Sequence, residues 1–431
     1  MRIAVIGAGI SGNIAARALS AQHDVTIYEK RARPGGHSAT VDIEYDGVPI
    51  SVDTGFIVYN ELNYPNFTAL LNHLDVATEA SDMSFGFSAD NGRVEWAGSS
   101  LNTIFAQRSN LISPRFLSML REILRFNKIA ADDLANNQLS AMSLGDYLDA
   151  NGFSDTFANQ YLLPMGAAIW STPIVEMKDY PAESFISFFE NHRLIHFDRP
   201  TWRTIKGGSR NYVSKLLAPL QDKLRLGAEV VGIRRENGLV HIKDAAGHSD
   251  TFDHVILASH TDQSLAMLED PSEEERSLLS RMRYRPNTVY LHRDTQLMPK
   301  RERVWSSWNF MADTKAGATS DVTVSYWMNR LQNIDQSKHL FVTLNPSEAP
   351  ADDRTFAQFT YDHPQFDAAA LSARKQLEKL QGTNNTWFCG AWAGSGFHED
   401  GISSGLRVAR ALGAAAPWEA PVEPQVLEAA E

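Results

Sequence analysis

Residues 2–38, RIAVIGAGISGNIAARALSAQHDVTIYEKRARPGGHS, constrain this chain more than any other stretch, because strand, glycine turn, helix and second strand follow one another in a single order. The apolar run Arg2 to Ile6 predicts a buried strand, and it ends in Gly7-Ala8-Gly9-Ile10-Ser11-Gly12, a G-x-G-x-x-G spacing at a strand-to-helix turn. Gly7 allows the tight turn, Gly9 lets backbone approach a pyrophosphate, and Gly12 lets the next helix lie close on the strand. Ile14, Ala15, Ala18 and Leu19 predict that helix over Ile10 to Ala21. Its N-terminus offers unpaired N–H groups and the positive end of its dipole to phosphates. A second strand, Asp24 to Tyr28, ends at Glu29, whose carboxylate can accept hydrogen bonds from a ribose diol and would repel a 2′-phosphate. A lone glycine fingerprint carries little weight. Here every part of the dinucleotide-binding βαβ unit is in order.

That unit leaves NAD and FAD open. The residues after Glu29, Arg31-Ala32-Arg33-Pro34-Gly35-Gly36-His37-Ser38, carry a second glycine pair. A nicotinamide dehydrogenase has no evident need of it, whereas a long extended FAD requires close backbone approach at further points.

At 431 residues the chain exceeds what one core usually serves, so two interleaved domains are expected. Formal charge is −12, from 40 basic and 52 acidic residues, with no long basic run, which argues against nucleic acid as a partner. Cys389 is the only cysteine, excluding an internal disulfide and a thiolate metal cluster. The first strand begins at residue 2, leaving no room for a signal peptide, and no apolar run approaches the roughly 18 residues of a membrane span. A cytoplasmic protein is the default, with peripheral membrane contact left open.

Thr40 to Asp53 alternates around Asp46-Gly47, and Met83 to Trp96 around Asn91-Gly92, so both predict hairpins. Leu101 to His192 shifts to helical spacing, with Phe116, Leu120, Ile123, Leu124 and Asn127 on one face. Lys206-Gly207-Gly208-Ser209 predicts a turn feeding a helix, and Glu229 to Ala258 a β-meander ending in a buried strand. Aromatic-rich segments from Arg283 to Leu344 predict an antiparallel sheet, where Trp305, Trp308, Tyr326 and Trp327 line a pocket or form core. His363 to Leu380 predicts a helix, Asn385 to Cys389 a short strand, and Leu406 to Leu412 a last helix after the glycine-rich Gly390 to Gly405. Composition makes 415–431 a disordered tail. The fold expected is α/β, a Rossmann-like dinucleotide-binding domain (1–60, 203–262 and 383–414) interleaved with an α+β substrate domain (61–202 and 263–382). The substrate domain combines the antiparallel sheet with the helical insertion. No metal-ligand spacing occurs among the thirteen histidines, so the hard chemistry falls to a bound cofactor.

With these motifs in view, the chain resembles the flavin-containing amine oxidase superfamily, which includes protoporphyrinogen oxidases and phytoene desaturases. The anchors are GAGISG at 7–12, the run from Glu29 to Gly36, KGGS at 206–209, the strand at Glu229-Val230-Val231, and Gly390 through Gly405. Within it, Gly396-Phe397-His398-Glu399-Asp400-Gly401 is most like bacterial proteins and the oxidase-like N-terminal region of plant cyclopropane fatty acid synthases. The resemblance implies FAD. Gly7, Gly9, Ile10, Ser11 and Gly12 would hold the pyrophosphate, and Glu29 the ribose with Lys30 and Arg31 nearby. Gly35, Gly36, His37, Ser38, Thr54, Gly55 and Phe56 would line the ribityl and flavin edge. Val231 would touch adenine, Gly390 phosphate, and Asp400, Gly401 and Ile402 the flavin pyrimidine. Phe397 and Tyr361 would wall the substrate. His398 is a candidate to accept or relay a proton, since an unperturbed imidazole titrates near working pH; a helix-capping or structural histidine is the alternative.

Three departures from the superfamily stand out. His37 replaces the usual arginine, Trp392 a cofactor-binding glutamate, and the lysine beside flavin N5 is not identifiable among Lys206, Lys300 and Lys315. The resemblance implies an oxidoreductase moving a hydride from a substrate C–H bond to flavin N5. A fatty-acyl or lipid-like substrate is preferred, with an amine as the alternative. A non-catalytic FAD-binding accessory to a lipid methyltransferase is a third reading.

Overall fold

A computed structural model describes residues 1–139, 142–196, 198–312 and 323–419. Its centre is a five-stranded parallel sheet ordered Leu224–Leu226, Asp24–Glu29, Arg2–Ile6, His254–Leu257 and Thr386–Phe388. Ile3 pairs with Val25 on one side and His254 on the other. Ile3, Val5, Ile27, Val255 and Ile256 are fully buried, as continuous apolar runs require in a parallel sheet covered on both faces. The helix Ile10–Leu19 covers one face. It ends two residues before the predicted limit, where Ser20 turns its hydroxyl back onto the Arg17 carbonyl. The antiparallel meander Val230–Glu236, Leu239–Asp244, Ser249–Phe252 lies on the opposite side, with Phe252 edge-on to Tyr28 at 6.2 Å.

Thr40–Tyr45 and Val48–Asp53 form the predicted hairpin, and Asp46 and Gly47 both take positive φ (49° and 81°), matching the twist of a two-residue turn. Asp53 ties this hairpin to the KGGS turn. Its buried carboxylate accepts from the backbone N–H and hydroxyl of Ser209 and from Thr40. The helix Arg210–Leu217 starts there.

A second sheet has seven strands, ordered Thr355–Gln365, Arg283–His292, Phe341–Leu344, Thr323–Trp327, Trp308–Ala312, Phe85–Ala89 and Val94–Ala97. It is antiparallel except where Trp308–Ala312 pairs parallel with Phe85–Ala89, which merges the Asn91-Gly92 hairpin into the sheet. Helices between 101 and 192 pack beside it, the longest being Pro114–Ala135 and Ala182–Asn191.

Four expectations are corrected, and one left open is decided. The buried face of Pro114–Ala135 is Phe116, Met119, Phe126 and Ala130, while Leu124 is exposed, because the stripe follows a slightly different phase. His363 to Gln365 end an eleven-residue strand, paired along Arg283–His292, and the helix begins only at Ala368 under an Asp367 cap. The last helix runs His398–Ala411, eight residues earlier than predicted, because Gly401 and Gly405 serve close packing rather than a loop. Trp305 and Trp327 are core, packed with Met298 and Phe341. Ala416 and Trp418, assigned to the tail by composition, pack on the core beneath the parallel sheet; 420–431 lie outside the described residues.

Candidate functional site

The two ends of the chain meet here. A Cβ on Gly401 would stand 2.6 Å from Ile10 Cγ2, and one on Gly405 2.5 Å from the Ser11 carbonyl oxygen, so only glycine lets the last helix lie on the first. A Cβ on Gly12 would lie 2.0 Å from the Gly7 oxygen, which is the close helix-strand approach its place in the fingerprint demands. Gly9 differs: its Cβ direction is open, with nothing within 4 Å.

The second glycine turn docks on this first one. Gly35 N–H donates to the Ala8 carbonyl at 2.7 Å, and Gly36 faces the Gly9 Cα. Glu29 accepts from the backbone N–H of Ala8 and of Arg31, both at 2.9 Å, which orients its carboxylate while leaving lone pairs unused. Lys30 and Arg31 are exposed beside it. Val231 is 49% exposed at a bulge between Val230 and Gly232. The carbonyls of Glu29 and Arg31 accept from Ala228 and Gly227, which fixes the start of that strand beside the acid. Arg33 went unrecognised in the sequence. Its Nη1 reaches the carbonyls of Pro34, Gly36 and Ser38 and so staples the second turn, a task that no motif spacing announces.

Phe56 N–H donates to the His37 carbonyl at 2.8 Å, and Gly55 presses against the same carbonyl, so segments 35–38 and 54–56 run together. Thr54 donates to the Ala39 carbonyl and accepts from the Tyr361 hydroxyl at 2.8 Å, bringing the edge strand of the large sheet to the site. The His37 ring lies 5.2 Å from Tyr361 and 5.7 Å from His363, and its buried Nε2 has no partner among the described residues. Burial, with the neighbouring His363, holds His37 well below the usual histidine range.

His398 opens the last helix. Its Nε2 lies 2.9 Å from Ser38 Oγ and 3.2 Å from the Tyr212 hydroxyl, and its ring stacks on Phe56 at 3.6 Å. Burial pushes its pKa down to about 3. Burial thus keeps it neutral at working pH, unlike the unperturbed imidazole expected from the sequence, and its ring joins Ser38, Tyr212 and Phe56. Tyr212 was not anticipated, although it lies on the helix that the KGGS turn launches. Glu399 accepts from the backbone N–H groups of Asn66 and Phe67 at the start of the helix Pro65–His73. Asp400 accepts from Phe397 N–H, closing its own helix's first turn. Burial raises both carboxyls. Ile402 is fully buried on the same helix.

Gly390 sits under Trp392, whose Nε1 donates to the Ser259 carbonyl, and Gly390 N–H donates to Ser404 Oγ. The tryptophan thus fastens one strand end to another where an acid was expected. Cys389 is buried and its thiol is pushed up to about 12, so it is not a thiolate. Lys206 occupies an exposed turn, Lys300 a loop held by Glu95, and Lys315 lies outside the described residues. Among the described residues no three His, Cys, Asp or Glu side chains could hold a metal ion.

Residues 10–413 match the model of the flavin containing amine oxidoreductase family. The chain belongs to this family. It is an FAD-dependent oxidoreductase. Among solved structures, putrescine oxidase bound to putrescine is 17% identical with a TM-score of 0.67, the match covering 96% of this chain and 99% of that one. A CLA-producing fatty acid isomerase from P. acnes is 17% identical, TM-score 0.68, with 95% and 98% covered. Cyclohexylamine oxidase from Brevibacterium oxydans IH-35A is 15% identical, TM-score 0.66, again with 95% and 98% covered. No significant match exists among curated protein sequences.

The residues of this flavoprotein fit an extended dinucleotide. Gly9 leaves the open space that a pyrophosphate requires, Glu29 keeps free lone pairs for a diol, and the buried His37 Nε2 is unpartnered. A buried polar nitrogen without a bond is costly, and a ligand donor or acceptor, according to the tautomer, would satisfy it.

Proposed function

We propose that this oxidoreductase acts on a fatty-acyl or lipid-like substrate. One observation carries the reading: Phe397, at the N-terminus of the last helix, stacks on Phe188 at 5.0 Å, and Phe188 stacks in turn on His192 at 3.8 Å and packs on Trp170 at 4.8 Å. This wall is apolar and uncharged, because burial pushes His192 down to about 4. Glu399 and Asp400, which follow Phe397 on its helix, are committed to backbone N–H groups, and Glu190, on the helix of Phe188, bonds His196. The fold itself is neutral on this point, since it serves a fatty acid isomerase as well as putrescine oxidase.

In this reading the fingerprint glycines and Ile10-Ser11 hold the pyrophosphate, Glu29 the ribose, and Val231 the adenine. Segments 35–38, 54–56 and 400–402 surround the flavin. When bound, FAD supplies the acceptor, N5, for the hydride released as a substrate C–H bond breaks. The chain's own part is to orient the substrate and keep water out, with Phe397, Phe188 and Tyr361 as the wall. The first N–H groups of the last helix direct positive potential to the position where negative charge gathers.

The test is anaerobic mixing of oxidised enzyme with fatty acids, phospholipids bearing unsaturated or methylated chains, and mono- and polyamines, following bleaching of the flavin band. Bleaching by lipid supports the proposal; bleaching by amines alone overturns it in favour of amine oxidation. Absence of bleaching by either class, with a lipid methyltransferase co-purifying, transfers support to the accessory reading.

A further inference from the structure

We propose that the segment 101–128 is a docking surface for an anionic lipid bilayer. In this stretch large apolar side chains stand in solvent: Leu101 is 75% exposed, Ile112 84%, Leu111 50% and Leu124 57%. They account for four of the eleven large apolar residues exposed across the described chain. Isolated exposed leucines need no explanation, but several gathered at one helix and its approach do.

The charge around them is of one sign. Residues 101–131 contain five basic side chains (Arg108, Arg115, Arg121, Arg125 and Lys128) and one acid, Glu122, in a protein whose formal charge is −12. All five basic residues are exposed. Glu122 is turned inward and accepts from the backbone N–H and hydroxyl of Ser154. Among the described residues none of the five forms an ion pair with an Asp or Glu: Arg125 lies over the Phe153 ring and bonds the Gly152 carbonyl, and Arg108 bonds the Phe105 carbonyl and Asn102. Along the helix Pro114–Ala135, Arg121, Leu124, Arg125 and Lys128 recur at helical spacing on the solvent side, with Asp132 closing the stripe. Unneutralised arginine and lysine interleaved with exposed leucine and isoleucine suit a surface of acidic headgroups over hydrocarbon: the cations meet phosphate while the apolar tips enter the boundary.

Local structure holds the patch together. Phe105 and Phe116 pack edge-on at 6.0 Å, pinning the short helix Leu101–Ile104 and the turn Arg108–Ile112 to the start of the long helix. The buried side of that helix packs on Ala182–Asn191, which carries Phe188 of the proposed substrate wall. A bilayer-bound enzyme would thus have one helix layer between headgroups and that wall. No helix among the described residues is long and apolar enough to cross a membrane, so the attachment proposed is peripheral.

The proposal stands apart from the substrate reading, and its test does not use turnover. Holoenzyme is floated on vesicles of phosphatidylcholine alone and of phosphatidylcholine with phosphatidylglycerol. Binding is expected to the anionic vesicles, to be weak on the neutral ones, and to fall as salt rises. The pair R121E and K128E should lower partitioning about thirtyfold or more, because each basic residue near an acidic surface contributes about a factor of five and the substitution also reverses its charge. The pair L111S and I112S should also lower it at fixed charge. R276E, on an exposed helix elsewhere, should have a much smaller effect. Bound-flavin absorbance checks that each variant is folded. Failure of the folded wild type to float with anionic vesicles, or flotation unchanged by both pairs, overturns the proposal.

Discussion

Ser38 Oγ lies 2.9 Å from His398 Nε2, so a residue just past the second glycine turn and the first residue of the last helix share one buried hydrogen bond. The Tyr212 hydroxyl closes the triangle from a third part of the chain. Three segments remote in sequence are thereby locked around the place where the flavin edge is proposed.

This junction makes acid sensitivity testable. Burial depresses His398 to about 3 and His363, His292 and His192 to about 4. The unfolded chain takes up protons on these side chains below about pH 6.5, and the folded chain refuses them. Their contribution is therefore present above pH 6.5 and is lost as pH falls towards 4. The raised carboxyls Asp53, Glu399 and Asp400 act in the opposite sense and offset part of it. His398→Gln, which can keep bonds to Ser38 and Tyr212, should show a shallower fall in melting temperature between pH 7 and 5 than the wild type. Equal slopes would remove His398 from the group of buried neutral histidines.

Glu29→Ala should weaken FAD binding by about ten- to a hundredfold, for loss of a charge-assisted hydrogen bond worth about 1.5–3 kcal/mol. The same carboxylate bonds Ala8 and Arg31 N–H, so a lower melting temperature of the apo-protein should accompany the change. Titration of apo-variant with FAD and a thermal melt read the two effects separately; unchanged affinity would take Glu29 out of the site.

Gly405→Val forces a side chain against the Ser11 carbonyl, which belongs to helix backbone and cannot swing away. A cost of about 1–3 kcal/mol is expected from overpacking. FAD content should fall with it, because the first helix carries the fingerprint. Gly98→Ala, where a Cβ meets only ordinary contacts at 3.9 Å and beyond, should melt like the parent. A Gly405→Val protein with parental stability and full flavin would contradict the packing argument.

The parallel sheet was legible in the sequence because strands buried on both faces are written as apolar runs and the fingerprint fixes their first connection. The hairpin at Asp46-Gly47 was legible because its turn needs positive φ at two successive residues. Less could be read where one residue type serves two purposes. Glycines between 390 and 405 suggested a loop, yet Gly401 and Gly405 are helical and small for the sake of Ile10 and Ser11. The long-range hydrogen bonds of Tyr212 and the carbonyl staple of Arg33 leave no periodic trace. His398 misled for a related reason: its pKa is set by burial among residues from four segments, which local sequence does not describe.

The substrate wall gives the last prediction. Phe188→Leu and Phe397→Leu each keep apolar bulk but remove one ring of a stacked pair, a loss of about 0.5–1.5 kcal/mol. FAD content should be unchanged, since neither ring is among the residues proposed to hold it. That loss belongs to the stability of the protein itself; if the wall binds an acyl chain equally in ground and transition states, the substrate contact removed with the ring appears as a raised KM with kcat little altered. The effect should also grow with chain length: each methylene that reaches the wall contributes about 0.8 kcal/mol of burial, and substrates too short to touch it should be indifferent to the change. Steady-state kinetics on a homologous series of acyl chains reads this directly. A KM increase that is the same for short and long chains would mean that the stack shapes the flavin site, and the acyl-binding role assigned to Phe188 and Phe397 would be abandoned.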